Sequence, residues 1–389
     1  MMKNVLTLAM LGASLASSMS TLAAEPVRIG FITTLSTPAG YLGEDARDAF
    51  RLAMEQEGGK LGGIPVELVV EDDALQPAKG KQIIDRMSLN GISLYTGVMF
   101  SNVLAAVVNS ATKDGNFYIS PNAGPSNLAG KQCKANYFVA SYQNDVPHEM
   151  AGVAANELGY KKMVILAPNY QAGRDALAGF KRGFKGEVTE IYTKLNQLDF
   201  SVELARMRSL KPDAVFQFHP GGGGINFAKQ YGSTGLSKTI PMVVPVFSMD
   251  ERMLSATGNV AEGMNVVSGW DPQGDNSANQ TFVKAFNEKY GRAPTMYAAQ
   301  GYDTARLIGS ALAATNGDVK NTEAFRAALR AAKYDSVRGD FSFAKNQHAV
   351  IDWHLLKVEA SADGALREVK VKTIAKAQEI GRASCRERV

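Results

Sequence analysis

Cysteine is scarce in this chain of 389 residues, with only Cys133 and Cys385 present. Cys385 falls within residues 379–389, which do not continue the preceding pattern and read as vector-derived sequence. One cysteine then remains for the fold, so no internal disulfide is expected and the structure must rest on its core. Cys133 stands near Lys134 without an evident catalytic partner and reads as an incidental surface thiol. Histidine is nearly as rare. His148, His219, His348 and His354 are not spaced as a zinc pair, and no cysteine pair supports them, so no metal is expected. No Gly-x-Ser-x-Gly elbow occurs and no pair of carboxylates stands out, which leaves catalysis without a constellation and calls for no cofactor. Long runs of one charge are missing too. The net charge of +4 includes one surplus positive charge in the first residues and one in the last, and a balance so close to neutral does not suggest a nucleic-acid binder.

Hydrophobic runs long enough to span a membrane are also lacking. The apolar stretch Val5 to Leu11 is too short for about 30 Å of hydrocarbon. It follows Lys3 and leads through small residues to Ala23-Ala24, the arrangement of a signal peptide over residues 1–24. No cysteine lies near the cleavage point, which argues against a lipoprotein, and export to the periplasm is expected.

What remains is 45% apolar and 21% charged, ample for one large or two medium cores. Strand and helix alternate along it. Val27 to Thr33 reads as a strand. In the helix that follows, Ala46, Ala49, Phe50, Ala53 and Met54 recur at helical spacing. The alternation continues through strands at Val66–Glu71, Ile92–Thr96 and Phe117–Ser120. It restarts after about residue 145 with strands at Met163–Ala167, Val188–Tyr192, Ala214–Phe218 and Ile240–Val244. Helices are expected over Gln280–Tyr290, Tyr297–Ala314 and Thr322–Ala332, then strands over Val337–Phe343, Ile351–Val358 and Leu366–Ile374. The fold class is therefore α/β, with two doubly wound lobes around a cleft. In open α/β sheets, ligands lie beyond the carboxyl ends of the strands. The run Gly221-Gly-Gly-Gly224 lacks the lysine of a phosphate loop and the spacing of a dinucleotide fingerprint, so a strand-to-helix turn is its plain reading. His148, at a helix start after Pro147, reads as solvent-facing.

A series of short motifs carries a family resemblance. They are Ile29-Gly-Phe-Ile-Thr33 with the loop to Gly43, Gly62-Gly-Ile-Pro-Val66, Glu71-Asp-Asp73 and Ser120-Pro121. Pro168-Asn-Tyr-Gln-Ala-Gly173, Ala261-Glu-Gly-Met264 and Gly301-Tyr-Asp303 complete the set. Each is weak alone, but in this order the chain resembles the type I periplasmic binding proteins of the Leu/Ile/Val-binding class. The resemblance implies three crossings between lobes. Lobe one would hold residues 25–143 and 271–345, and lobe two residues 144–270 and 348–378. It also implies a monomer that binds a small molecule without chemistry and delivers it to an ABC permease in the inner membrane.

Carried onto this sequence, the resemblance places a ligand site among ten residues. In the first lobe, Ser101 at a helix start and the segment Asn122-Ala123-Gly124 would offer donors to a carboxylate. Tyr41 and Leu42 would cover the ligand. The second lobe would supply Tyr170, His219 and Phe247, while Tyr302 would close the apolar side. Each residue also has a plain structural reading: Ser101 as an N-cap, Asn122 as a turn residue, His219 as a core histidine and the aromatics as packing. Two departures from the amino-acid binders stand out. No carboxylate occurs before Asp250 in the segment where those proteins hold an ammonium, and Gly124 stands where they carry a threonine. An unpaired buried ammonium costs several kcal/mol, so an aromatic acid resembling benzoate or a hydroxycinnamate is the expected ligand. A branched-chain amino acid, an amide-type sensor role and a periplasmic enzyme are the alternatives.

Overall fold

The computed structural model describes residues 25–130 and 132–376; the expected leader and tail lie outside the described residues. The first sheet is built from β1 (Val27–Thr33), β2 (Lys60–Leu61), β3 (Ile64–Asp72), β4 (Leu94–Thr96), β5 (Phe117–Ser120) and β6 (Tyr137–Val139). Helices α1 (Tyr41–Gln56), α2 (Pro77–Leu89) and α3 (Ser101–Ala111) connect them. The second sheet begins with β7 (Lys162–Pro168), β8 (Glu187–Thr193), β9 (Ala214–Gln217), β10 (Met242–Pro245) and β11 (Asn265–Ser268). Its helices are α4 (Val146–Glu157), α5 (Gln171–Gly183), α6 (Ser201–Leu210), α7 (Gly222–Ser233) and α8 (Glu251–Thr257). The chain then returns to the first lobe with α9 (Ser277–Tyr290), α10 (Met296–Ala314) and α11 (Thr322–Arg330). A small hairpin, β12 (Ser342–Phe343) and β13 (Ala349–Val350), precedes β14 (Trp353–Ala360) and β15 (Leu366–Ala375), which complete the second sheet.

The strand order is β2-β3-β1-β4-β5-β6 in one sheet and β15-β14-β11-β10-β9-β7-β8 in the other. All pairings from β3 to β6 and from β11 to β8 are parallel, while β2, β14 and β15 run antiparallel to their neighbours. Parallel strands covered on both faces need continuous apolar runs. Ile29, Phe31 and Ile32 of β1 and Met163 to Ala167 of β7 supply them, all at most 1% exposed. Helix α5 shows the complementary pattern, burying Ala172, Ala176, Leu177 and Phe180 while Lys181 and Arg182 stay on its outer side.

The first crossing is pinned to the segment that leads into the third. Arg338 and Asp303 form a fully buried ion pair at 2.7 Å. The same guanidinium donates to the carbonyls of Ala140 (2.6 Å) and Ser141 (3.1 Å), at the first crossing. This pull on Arg338 explains why the strand expected over Val337–Phe343 shrinks to Ser342–Phe343: the segment turns inward to reach Asp303 instead of pairing. The glycine run at 221–224 is the expected strand-to-helix turn, with α7 beginning at Gly222, and it is tightly packed, since a Cβ on Gly224 would sit 2.4 Å from the His219 carbonyl. One other expectation changes. Cys133 is not a free thiol; Cys385, the other cysteine, lies outside the described residues.

Candidate functional site

In each sheet the order reverses at one place, between β1 and β4 in the first and between β7 and β9 in the second. Connections leaving neighbouring strands there turn to opposite faces, which opens a crevice at their carboxyl ends. The two crevices face each other, and a cavity lies between them. Leu42 follows β1, Phe100 and Ser101 follow β4, Tyr170 and Ala172 follow β7, and Phe218 and Pro220 follow β9. The turn after β4 depends on Gly97, whose φ of 109° brings its backbone so close to β1 that a Cβ would lie 2.6 Å from the Ile32 carbonyl. The space left is a slot, with about 30 Å³ open to the centres of water molecules. A larger depression beside Arg306, Ser310 and Tyr334 is open to solvent and involves only the first lobe.

The walls are aromatic and uncharged. Tyr142 and Phe247 lie 4.9 Å apart at 30°, and Tyr170 stacks on Phe218 at 6.4 Å and 9°. Tyr297 meets Phe247 at 6.0 Å. No Asp, Glu, Lys or Arg is among the described lining residues. Positive potential comes instead from backbone. Leu42, Ser101, His148, Ala172 and Tyr297 all belong to the first turns of their helices, α1, α3, α4, α5 and α10, and all line the cavity. The first N–H groups of a helix have no acceptor within it, and its N-terminus carries about half a positive charge. Side chains cap none of these five helices. An anion can be held here by converging dipoles alone, whereas an ammonium would find no counter-charge.

Of the ten residues expected at the site, the structure brings six to the cavity wall: Leu42, Ser101, Asn122, Ala123, Tyr170 and Phe247. Phe100, and not Ser101, is the N-cap of α3. The Ser101 hydroxyl accepts from Asn144 Nδ2 at 3.0 Å, which leaves its own proton free to donate. Asn122 is engaged on both sides, donating to the Met99 carbonyl at 2.7 Å and accepting from the Tyr142 hydroxyl at 2.8 Å. It shapes the wall, and the bond to Met99 uses one of its two amide hydrogens.

The other four stand elsewhere. The Gly124 N–H donates to Asn144 Oδ1 at 2.8 Å, so this expected donor is already used. His219 contacts Thr193 Oγ1 through Nε2 and Gln217 Oε1 through Nδ1, both at 2.9 Å, and stacks on Phe227. It is a core histidine, and burial pushes its pKa down to about 3. Tyr302 points away and donates to Gln56 Oε1 at 2.6 Å. Tyr297, five residues earlier on α10, occupies the wall in its place. Tyr41 bridges the lobes: its hydroxyl donates to Asp250 Oδ2 at 2.6 Å, while its ring packs edge-on to Tyr297.

Asp250 is fully buried at the N-cap of α8 and also accepts from the N–H groups of Arg252 and Met253. Burial pushes its pKa up to about 7, against the lowering effect of these donors. Beside it, Arg252 reaches back to Asp45 of α1 at 3.0 Å and lies over the Tyr41 ring at 4.8 Å. These contacts hold the two lobes together at one edge of the cleft.

Sequence reasoning missed His148, which is 2% exposed and lines the cavity instead of facing solvent. Edge-to-face contacts with Phe218 (4.8 Å) and Phe216 (5.7 Å) fix its ring.

A sequence profile described as periplasmic binding protein matches residues 26–365. The chain belongs to the periplasmic binding protein family, in its type I class. It is 28% identical over 391 aligned positions to Leu/Ile/Val-binding protein homolog 6 of Brucella melitensis biotype 1, covering 96% of this chain and 98% of that one. Among solved structures, an ABC-transporter solute-binding protein from R. palustris in complex with benzoate is 31% identical. It superposes with a TM-score of 0.88 and covers 93% of this chain and all of that one. A solute-binding protein from Rhodopseudomonas palustris BisB5 in complex with 3,4-dihydroxybenzoic acid is 28% identical, with a TM-score of 0.85 over 91% of this chain and 98% of that one.

Proposed function

We propose that this protein is the exported, periplasmic solute-binding component of an ABC importer, and that its ligand is a small aromatic carboxylate. It binds without chemical change and passes the ligand to a permease. One observation carries the ligand class: an uncharged, aromatic-walled slot into which five helix N-termini converge. A flat ring suits the walls, which offer offset and edge-on faces, and a carboxylate suits the dipoles. The two solved relatives described above were found with benzoate and a dihydroxybenzoic acid, in keeping with this reading.

The name of the Brucella relative favours a second reading, a branched-chain amino acid. Against it, Asp250 does not line the cavity and is occupied by Tyr41 and two backbone N–H groups. A thermal-shift titration separates the two. A ligand at a hundred times its dissociation constant stabilises by about 2.7 kcal/mol, a rise of a few degrees for a chain of this size. Benzoate and coumarate are expected to give this shift and leucine, isoleucine and valine not to; the reverse pattern removes the aromatic-acid reading.

A further inference from the structure

Three of the four histidines have a hydrogen-bonding partner for a ring nitrogen: His219 with Thr193 and Gln217, His348 with the Asn346 carbonyl and His354 with Thr373. Two ring nitrogens are nevertheless buried without a partner, His348 Nε2 and His148 Nδ1, and of these two residues His148 alone forms part of the cavity wall. A buried polar atom without a partner is destabilising by roughly 1–3 kcal/mol, so its retention on the wall of a binding slot calls for a ligand. We propose that His148 is a specificity residue that reads a hydroxyl group on the ligand's ring, which makes hydroxylated benzoates the preferred class.

Resting on the aromatic-acid reading, this inference adds which acids are chosen. Burial pushes the imidazole pKa down to about 3, with no carboxylate beside it to oppose the shift. The ring is therefore neutral at physiological pH, with one nitrogen a donor and the other an acceptor. A carboxylate can only accept, and it has the five helix N-termini for that. A hydroxyl can both donate and accept, so it satisfies either tautomer of His148. Its neighbours Phe216 and Phe218 hold the ring edge-on, so the nitrogens keep one direction and can discriminate among positions on the ligand. Discrimination of this sort arises because the analogue lacking the hydroxyl leaves the site's polar group unpaired.

Calorimetric titration with benzoate and its 2-, 3- and 4-hydroxy derivatives tests this. The parent protein is expected to prefer at least one hydroxybenzoate to benzoate by roughly three- to tenfold, the worth of one neutral hydrogen bond. His148→Leu is expected to abolish that preference, weakening the hydroxybenzoate by more than it weakens benzoate. His148→Gln keeps a donor and an acceptor and should retain part of the preference, and it decides the matter if the leucine variant does not fold. A preference that survives both substitutions overturns the proposal. So does a parent that binds benzoate with no preference, or a leucine variant that loses benzoate and hydroxybenzoate equally, since His148 would then serve the carboxylate or the fold. If the parent binds none of these acids but binds leucine, the failure belongs to the aromatic-acid reading itself.

Discussion

Ser101 sits on the cavity wall and leaves the cap of α3 to Phe100, although it is expected to cap that helix and to serve a ligand at once. It opens α3, and its hydroxyl sits between Asn144 and the cavity. Its oxygen is engaged as an acceptor, so its proton can go to the ligand's carboxylate. Ser101→Ala should lose one charge-assisted hydrogen bond, about 1.5–3 kcal/mol, or roughly ten- to a hundredfold in affinity. Ser101→Asp should do much worse, because it sets a negative charge against the ligand's own. A calorimetric titration of both variants with benzoate measures this, and an aspartate variant that binds like the parent would place the carboxylate elsewhere. Gly124 shows a limit of reading single residues. Its lack of a side chain was visible as a departure from amino-acid binders. The cause was not: a Cβ would lie 2.1 Å from the Tyr142 carbonyl, so close packing and not ligand choice requires glycine there.

Among the elements, the strands and their carboxyl-terminal loops were legible because parallel strands need unbroken apolar runs and the helices between them alternate in period. The family resemblance, laid over that alternation, placed Leu42, Ser101, Tyr170 and Phe247 near the cleft. Legibility failed where a helix is buried all round. Every residue from Met296 to Ala305 in α10 is buried, so no polar stripe distinguishes the face bearing Tyr297 from the one bearing Tyr302. The same holds at the start of α4, where Val146, Pro147 and His148 are all buried and an expected solvent-facing histidine turns inward. Helix α8 was missed because it is only seven residues long. It nevertheless carries Asp250, whose raised pKa makes a prediction. The folded state binds this proton more tightly than the unfolded chain, so the group's contribution to stability is greatest at low pH. It declines as pH rises from about 4, the ordinary carboxylate value, to about 7. Asp250→Asn preserves an N-cap and removes the titration. The variant's stability minus the parent's should therefore rise between pH 5 and pH 7.5, by on the order of 1–3 kcal/mol, and then level off. Urea unfolding of both proteins across that range measures the difference, in which the buried histidines cancel; Glu251 and Glu368, whose carboxyls are held up by burial and in part by the charge of Asp250, add to it in the same direction. A difference that stays flat would mean that Asp250 ionises as easily in the fold as in the open chain.

For the molecule as a whole, the site exists only when two lobes meet, and the contacts that join them are separate from the cavity. Tyr41, Asp45, Asp250 and Arg252 bridge α1 and α8, yet none of the four lines the slot. A closed form held this way is expected to exchange with an open form by hinge motion at the three crossings. When only the closed form binds, the observed dissociation constant is the intrinsic one divided by the closed fraction. Weakening the bridge should then reduce affinity by the same factor for every ligand, whereas changing a wall residue should alter the ranking among ligands. Arg252→Met removes the ion pair with Asp45 and the cation over the Tyr41 ring. Because Arg252 is about one-third exposed and screened by solvent, the expected loss is modest, roughly two- to tenfold. That factor should be equal for benzoate and 4-hydroxybenzoate in calorimetric titrations. Small-angle scattering should show the saturated variant reaching the same compact dimensions as the saturated parent, but only at higher ligand concentration. If Arg252→Met instead changes the ratio of the two affinities, the bridge is not separate from the slot, and closure and recognition are one event.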